Sequence, residues 1–482
     1  MNFRIVWKML GQVLWIETAL LLAPLITAAV YGENPHPFVL TMLLTAAAGC
    51  ALFIAGRKAS GSMHAREGFV TVALSWILIS LFGALPFVFS GAIPNYIDAF
   101  FEIVSGFTTT GSSILTEIQS LPRGVLFWRS FSHWIGGMGV LVFMMAVLPM
   151  DNGNSMHLLR AEVPGPVKGK LMPRMRATAA TLYIIYCVLT VIEIIFLLCG
   201  GMPLYDALVN SFGTAGTGGF SVLNSSIGGY NSVYAEMVIA VFMLLFGINF
   251  NLYAMLLMRR SLRAFKSEEL FVYLGIVAFA TVTIALNIVS TVGSLGQSLR
   301  YSFFQVSSII TTTGYGTADF NQWPAYSRMM LVLLMILGAC AGSTGGGMKV
   351  SRVLIVMKQS WADIRHQLFP RAVRNVRIDG QRLEEATVRS TLTYCSLYAI
   401  VTMLCCLLLS LEGLDFETTV TSVIACLSNI GPGLGLVGPA GNFSVWGYGG
   451  KLLLSACMLL GRLEFFPMIM LFTPGVWVRQ KK

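Results

Sequence analysis

Runs of about 20 mostly apolar residues recur along the whole chain, and a helix of that length is what it takes to cross a ~30 Å hydrocarbon layer. They extend over Ile5 to Val30, Phe38 to Ala55, Phe69 to Phe89, Val125 to Leu148, Ala177 to Leu198, Tyr234 to Met258, Leu270 to Val289, Thr387 to Leu411 and Leu452 to Phe472. A shorter run from Met329 to Ala341 ends in a Gly-rich stretch and resumes at Met348 to Met357, which reads as one interrupted span. Only 11% of the 482 residues are charged and 56% are hydrophobic, whereas a soluble domain carries roughly 25% charged residues. The bilayer is therefore the expected solvent.

The formal net charge of +10 raises the question of a nucleic-acid partner, and the positions of the cations answer it. Twenty-six of the 32 Lys and Arg lie at the N-terminus, in alternate loops and in the tail, the largest group being the nine from Lys349 to Arg389. The opposite face holds Arg123, Arg129, Arg300, Arg328 and Lys451, and Arg462 falls inside a span. By the positive-inside rule both termini are cytoplasmic, so topology accounts for the charge and no nucleic-acid partner is expected. The nine cysteines sit in apolar stretches without a repeated C-x-x-C pattern and read as small hydrophobes. Arg4 and Lys8 before the first run imitate a signal peptide, but the run is too long and holds Glu17, so a retained anchor helix is expected.

Between the long runs lie shorter ones that end in Thr- or Gly-rich turns, and these repeat. Asp98 to Ser105 leads through Thr108-Thr109-Thr110 to Gly111, and Tyr301 to Ser308 leads through Thr311-Thr312-Thr313 to Gly314 with the same spacing. A second copy runs from Asp206 to Gly219, and a weaker fourth from Thr418 through Ser428-Asn429-Ile430 to Gly431. Irregular backbone at membrane depth is tolerated only where protein or a watery cavity surrounds it. Four half-helices, each followed by a turn without charged side chains, thus imply a pseudo-fourfold ring around one axis.

Inward-pointing carbonyls of consecutive residues replace the hydration shell of a monovalent cation, and Gly permits the backbone this requires. The half-helices aim their partially negative C-termini at the same place. The turns contain neither paired carboxylates nor a His cluster of the kind that divalent metals or acid-base catalysis use. Thr311-Thr312-Thr313-Gly314-Tyr315-Gly316 also resembles the filter turn of potassium channels.

On these motifs the chain resembles the Trk/Ktr/HKT superfamily of potassium transporters, most closely the bacterial TrkH type. Further matching segments are His133 to Gly139, Arg160 to Pro166, Gly342 to Lys349 and Gly461 to Glu464. The resemblance implies an all-α integral membrane protein with two N-terminal helices (1–66) and four membrane-pore-membrane repeats (67–175, 176–267, 268–385 and 386–482). Its potassium filter would comprise Thr109, Thr110, Gly111, Thr217, Gly218, Gly219, Thr312, Thr313, Gly314, Asn429, Ile430 and Gly431. Implied with it are potassium uptake across a bacterial inner membrane, a homodimer, and a gating cytosolic ring of Rossmann-type nucleotide-binding domains, TrkA-like. Beyond the surrounding lipid and the potassium that it carries, no cofactor is implied. Gly at all four key positions goes with potassium permeation in the plant relatives, while Ala215-Gly216-Thr217-Gly218-Gly219 departs from the family pattern in the second turn. A sodium-permeable or ion-coupled symporter remains the alternative; a membrane enzyme on lipid-linked substrates would need polar clusters that the sequence lacks.

Gly342 to Lys349 misses the phosphate-loop pattern because Met348 separates Gly347 from Lys349. It reads either as a closely packed break or, as the resemblance supports, as a flexible gate centred on Gly345, Gly346 and Gly347. Arg462, a cation inside a span, is expected either to brace Glu464 or loop carbonyls or to set a barrier in the conduction path. His133 is expected to be packed and hydrogen-bonded, Glu102 and Gln305 to brace the filter, and Asp98 and Asp206 to serve at the starts of their half-helices.

Overall fold

The computed structural model describes residues 1–59, 63–139, 175–259, 266–370 and 375–477. The motif from Arg160 to Pro166 and the end of the run at Leu148 lie outside them. Apolar runs become helices because a lipid-exposed chain must satisfy every backbone polar group within its own segment. The chain opens with α1 (Phe3–Leu20), α2 (Leu22–Val30), α3 (His36–Gly56), α4 (Ala65–Gly83) and α5 (Leu85–Phe89). Then come α6 (Tyr96–Phe107), α7 (Arg123–Gly137), α8 (Met175–Cys199), α9 (Leu204–Gly216), α10 (Val233–Phe246) and α11 (Phe250–Arg259). The third section holds α12 (Glu268–Val292), α13 (Leu295–Ile310), α14 (Ala325–Leu337) and α15 (Val350–Leu368). The last holds α16 (Glu385–Leu409), α17 (Phe416–Ser428), α18 (Tyr448–Arg462), α19 (Phe466–Leu471) and α20 (Pro474–Trp477).

Among the described residues, six helical segments are long and apolar enough to cross a membrane, or seven counting the bent pair formed by α10 and α11. Such a helix is apolar all round, since one face meets protein and the other lipid. In α12, Tyr273, Val277, Ala280, Ile284 and Ile288 are buried while Phe271, Phe279, Val282 and Leu286 remain exposed. The half-helices α6, α9, α13 and α17 have 12, 13, 16 and 13 residues, too short to cross at 1.5 Å per residue, and lie inside the bundle. Asn95 caps α6 by accepting from the N–H groups of Ile97 and Asp98, and Asp415 caps α17 by accepting from Thr418. Asp98 sits in the first turn of α6, where its carboxylate pairs with Lys451 of α18 at 2.6 Å, and Asp206 in that of α9, where it accepts from the Tyr230 hydroxyl.

The spans after the second, third and fourth half-helices are broken, where the sequence suggested a break in the third alone. Helix α7 ends at Gly137, α10 and α11 meet at 86°, residues 338–349 separate α14 from α15, and Leu463, Glu464 and Phe465 separate α18 from α19. Composition explains them: Gly136-Gly137 closes α7, Gly247 and Asn249 frame the bend between α10 and α11, and Glu464 and Phe465 take positive φ before Pro467 in the last span. Freed backbone groups find partners across the bundle, since Cys340 N–H donates to the Gly247 carbonyl at 3.1 Å and Phe250 N–H to that of Gly342 at 3.0 Å. The basic stretch from Lys349 to Arg389 holds regular structure among its described residues. It carries α15 well past Met357 and a two-stranded hairpin pairing Arg377–Ile378 (β1) with Gln381–Arg382 (β2) around Asp379-Gly380. Both turn residues have positive φ, as a two-residue hairpin requires.

Candidate functional site

Each half-helix ends in the same backbone turn. Thr109, Thr217, Thr312 and Asn429 adopt the left-handed conformation with φ of 56° to 60°, and two residues later Gly111, Gly219, Gly314 and Gly431 have φ of 77° to 102°. The intervening N–H groups of Thr110, Gly218, Thr313 and Ile430 all donate five residues back, to Ser105, Gly213, Ser308 and Ala425, at 2.8–3.0 Å. Those bonds consume orphan carbonyls of the helix ends, while the carbonyls of Thr110, Gly218, Thr313 and Ile430 reach the neighbouring turns.

The four turns close into a ring. A Cβ on Gly111 would lie 1.9 Å from the Gly218 carbonyl oxygen, one on Gly219 2.1 Å from that of Thr313, one on Gly314 2.0 Å from that of Ile430, and one on Gly431 2.8 Å from that of Thr110. Every glycine thus abuts the residue just before the key glycine of the next turn, in the order first, second, third, fourth and back to first. This contact, together with positive φ, requires glycine at the four positions.

Packing behind the ring fixes its shape. The Glu102 carboxylate receives Arg129 Nε at 2.6 Å, the Ser113 hydroxyl and the Ile114 N–H, and the Arg129 guanidinium lies 3.5 Å from the Phe220 ring centroid. Arg129, counted by sequence among the outer-face cations, is 2% exposed and sits inside the protein. A charge that pairs within low-dielectric surroundings avoids the penalty of an isolated buried ion. The equivalent Gln305 amide bonds the backbone of Thr317 and Ala318, so both side chains brace the segment after their turn. The Tyr315 hydroxyl reaches the Asn210 carbonyl of the neighbouring half-helix at 2.8 Å. His133 is packed as expected: Nδ1 lies 2.8 Å from the Gly106 carbonyl and the ring rests on Phe220. The Asn429 amide donates to the Thr110 hydroxyl and to the Met458 carbonyl, both at 2.9 Å, tying the fourth turn to the first.

The two sides of the ring differ. On the side that follows the turns, a cavity of about 230 Å³ is lined by the four key glycines together with Asn224, Pro432 and Asn442, and Arg129, its charged lining residue, is already paired. On the side of the helix ends sits the Gly-rich loop between α14 and α15. Gly346 N–H donates to Thr312 Oγ1 at 2.6 Å, a Cβ on Gly345 would meet the Thr311 carbonyl, and one on Gly346 would meet that of Ser428. Lys349 Nζ donates to the Gly345 carbonyl within the loop. Arg462 is 8% exposed and donates to the Thr344 carbonyl of the loop at 2.9 Å and to the Gly136 and Gly137 carbonyls at 2.5 and 2.7 Å. Glu464 pairs with Arg352 of α15 at 2.5 Å. All twelve turn residues and Gly345, Gly346, Gly347 and Arg462 therefore fall in one connected region.

A family model described as "TrkH: Cation transport protein" matches residues 36–292 and 270–476. The chain belongs to the TrkH family. It is 37% identical over 484 residues to the Trk system potassium uptake protein TrkH of Salmonella typhimurium, covering 99% of this chain and 100% of the relative. Identity to the TrkH protein of Escherichia coli is 38% over 485 residues, with 99% and 100% coverage. The crystal structure of the potassium transporter TrkH from Vibrio parahaemolyticus superposes with a TM-score of 0.89 at 32% identity, covering 99% and 100% of the two chains. Membership makes the chain a transporter, and its mostly helical fold is shared with that structure over 99% of its length. The nine cysteines are free thiols, and among the described residues no group of three or more His, Cys, Asp or Glu is arranged to hold a metal ion.

What the sequence missed lies around the loop. Glu269 is not singled out by the sequence and Lys349 counts there among the cations of the basic loop, yet they are 9% and 1% exposed and both bond the loop region. The signal available was that each stands next to an apolar or Gly-rich segment, where a charged residue needs a partner.

Proposed function

We propose that this chain takes up potassium across the inner membrane of a bacterium through the ring of Thr109, Thr110, Gly111, Thr217, Gly218, Gly219, Thr312, Thr313, Gly314, Asn429, Ile430 and Gly431. The observation that carries this reading is the closed ring in which each key glycine abuts a neighbouring turn's carbonyl oxygen. Carbonyl dipoles held at that spacing replace the hydration shell of a monovalent cation, and the half-helix ends add a favourable partial charge. The names of the full-length relatives, potassium uptake proteins, select potassium.

In the same reading the loop around Gly345, Gly346 and Gly347 is the gate. It lies against the helix ends of the third and fourth turns, and Arg462 holds it through the Thr344 carbonyl while placing a positive charge beside the path. Three successive glycines each cost a helix about 1 kcal/mol relative to Ala, so the segment has little to lose on changing shape. We further assign the native form to a homodimer with both termini in the cytoplasm, regulated by a TrkA-like cytosolic ring that docks on the basic stretch between Lys349 and Arg389.

Purified chain in liposomes, loaded with potassium and read with a voltage-clamped flux dye, tests the reading. Potassium-driven flux well above sodium-driven flux is expected. Equal flux would replace it with a sodium-permeable relative, and flux of neither ion, with or without a cytosolic regulator, would remove it.

A further inference from the structure

Glu269 stands in the first turn of α12, outside the ring, the loop and the Arg462 contacts. Its Oε1 accepts from the N–H of Ala341 at 2.7 Å and from that of Ser351 at 3.1 Å. Those two residues mark the two ends of the Gly-rich segment: Ala341 follows its entry and Ser351 lies in the first turn of α15. Between them the neck is stitched by backbone bonds from Lys349 N–H to the Leu337 carbonyl at 2.8 Å and from Val350 N–H to that of Ala339 at 3.0 Å. One carboxylate oxygen therefore clasps both strands of the neck, and the N-terminal end of α15 adds a favourable dipole to the clasp.

The same turn of α12 is held from the opposite direction. The Glu268 N–H donates to Asp379 Oδ1 of the hairpin turn at 2.7 Å, and Lys358 of α15 pairs with the Glu268 carboxylate while donating to the Arg377 carbonyl at 2.9 Å. Displacement of the β1–β2 hairpin thus pulls on the residue adjacent to the clasp.

We propose that Glu269 is the positioning residue of the loop, a latch that holds its neck closed beneath the ring and that the β1–β2 hairpin is placed to release. The proposal rests on the reading of the loop as the gate. Hydrogen bonds to a charged acceptor correspond to roughly tenfold or more in an equilibrium constant, and two of them end on one oxygen here.

The test uses full-length chain in liposomes without any cytosolic partner and has two readouts, potassium flux and labelling of Cys340 by methyl methanethiosulfonate followed by peptide mass spectrometry. Cys340 lies within the neck and is 1% exposed, while Cys426 and Cys457, both 0% exposed, report on the bundle elsewhere. Glu269→Ala is expected to raise flux and the Cys340 labelling rate about tenfold, with Cys426 and Cys457 unchanged; Glu269→Gln, which keeps an acceptor oxygen, stays near the parent. Equal acceleration at all three cysteines, or no acceleration at Cys340, overturns the latch. Faster Cys340 labelling with unchanged flux keeps the latch and overturns the gate reading instead. Deleting Gly345 to Gly347 gives an independent reading of the gate: a rise in flux there with no response to Glu269→Ala retains the gate and removes the latch.

Discussion

The backbone N–H of Gly346 donates to the Thr312 hydroxyl at 2.6 Å, so the Gly-rich loop is bonded directly to the left-handed residue of the third turn. Nothing about the spacing of these residues, 34 positions apart, requires that bond. It arises because the third turn and the break after it belong to consecutive helical segments, α13 and α14, folded back on each other. Removing the hydroxyl leaves a buried N–H without its partner, a loss of about 1–3 kcal/mol.

Thr312→Val, which keeps the shape and drops the hydroxyl, is therefore expected to weaken the docked loop and raise basal potassium flux several-fold in liposomes. Thr312→Ser retains the donor-acceptor pair and should behave like the parent. Equal flux in all three would show that this bond does not restrain the loop.

Arg462 spreads its guanidinium over three carbonyls on two elements, Thr344 of the loop and Gly136 and Gly137 at the end of α7. Planar, forked donors suit such a site and an ammonium does not. Arg462→Ala should raise flux by removing both the tether and the positive charge, and Arg462→Lys should fall between the two because it keeps the charge while losing bonds. Single-channel recording separates the effects: a lost tether changes the open fraction, and a lost charge changes the current through an open pore.

The four turns were legible in the sequence because their signal is composition at fixed spacing, Thr or Gly residues 13 positions after the start of a short apolar run. The fourth, weaker copy proved as regular as the others, since Asn429 takes the left-handed conformation more readily than most residues with a side chain and the match is hidden only in side-chain identity. The breaks in the spans after the second, third and fourth turns were legible only where Gly-rich residues were dense, after Met329. Gly247-Ile248-Asn249 bends its span by 86° with a single glycine, because the loop from 338 to 349 supplies partners for the freed backbone groups, and that tertiary contact leaves no local trace. Arg129 shows the same limit: loop counting put it at the surface, and its pairing with Glu102, 27 positions away, takes it inside.

That pair gives a stability prediction independent of transport. Both side chains are essentially buried, at 2% and 0% side-chain exposure, and taking away one partner leaves an uncompensated charge at a cost of about 3–5 kcal/mol. Glu102→Leu or Arg129→Met alone should lower the thermal unfolding midpoint in detergent markedly. The double substitution should recover much of the loss, since replacing both charges removes the desolvation penalty along with the attraction. Additive losses in the double variant would show that the two residues do not act as a pair.

Gly314 provides the sharpest test of the ring. Its φ is 84°, and any Cβ there would stand 2.0 Å from the Ile430 carbonyl oxygen, one of the dipoles assigned to the cation, and 2.8 Å from Pro432 Cδ. Gly314→Ser therefore forces the carbonyl aside and adds backbone strain of roughly 1–3 kcal/mol, and both effects act on the conducting path. The expected result is a protein that still folds, because the ring is a small part of the packed bundle, but whose potassium flux falls and whose preference for potassium over sodium narrows. The corresponding change at Gly293, which also has positive φ but has nothing within 4 Å of its Cβ, isolates the strain from the contact. Ion-substitution flux on the two variants side by side decides: loss of selectivity at Gly314 alone supports the ring as the filter, and equal selectivity in both would remove Gly314 from it.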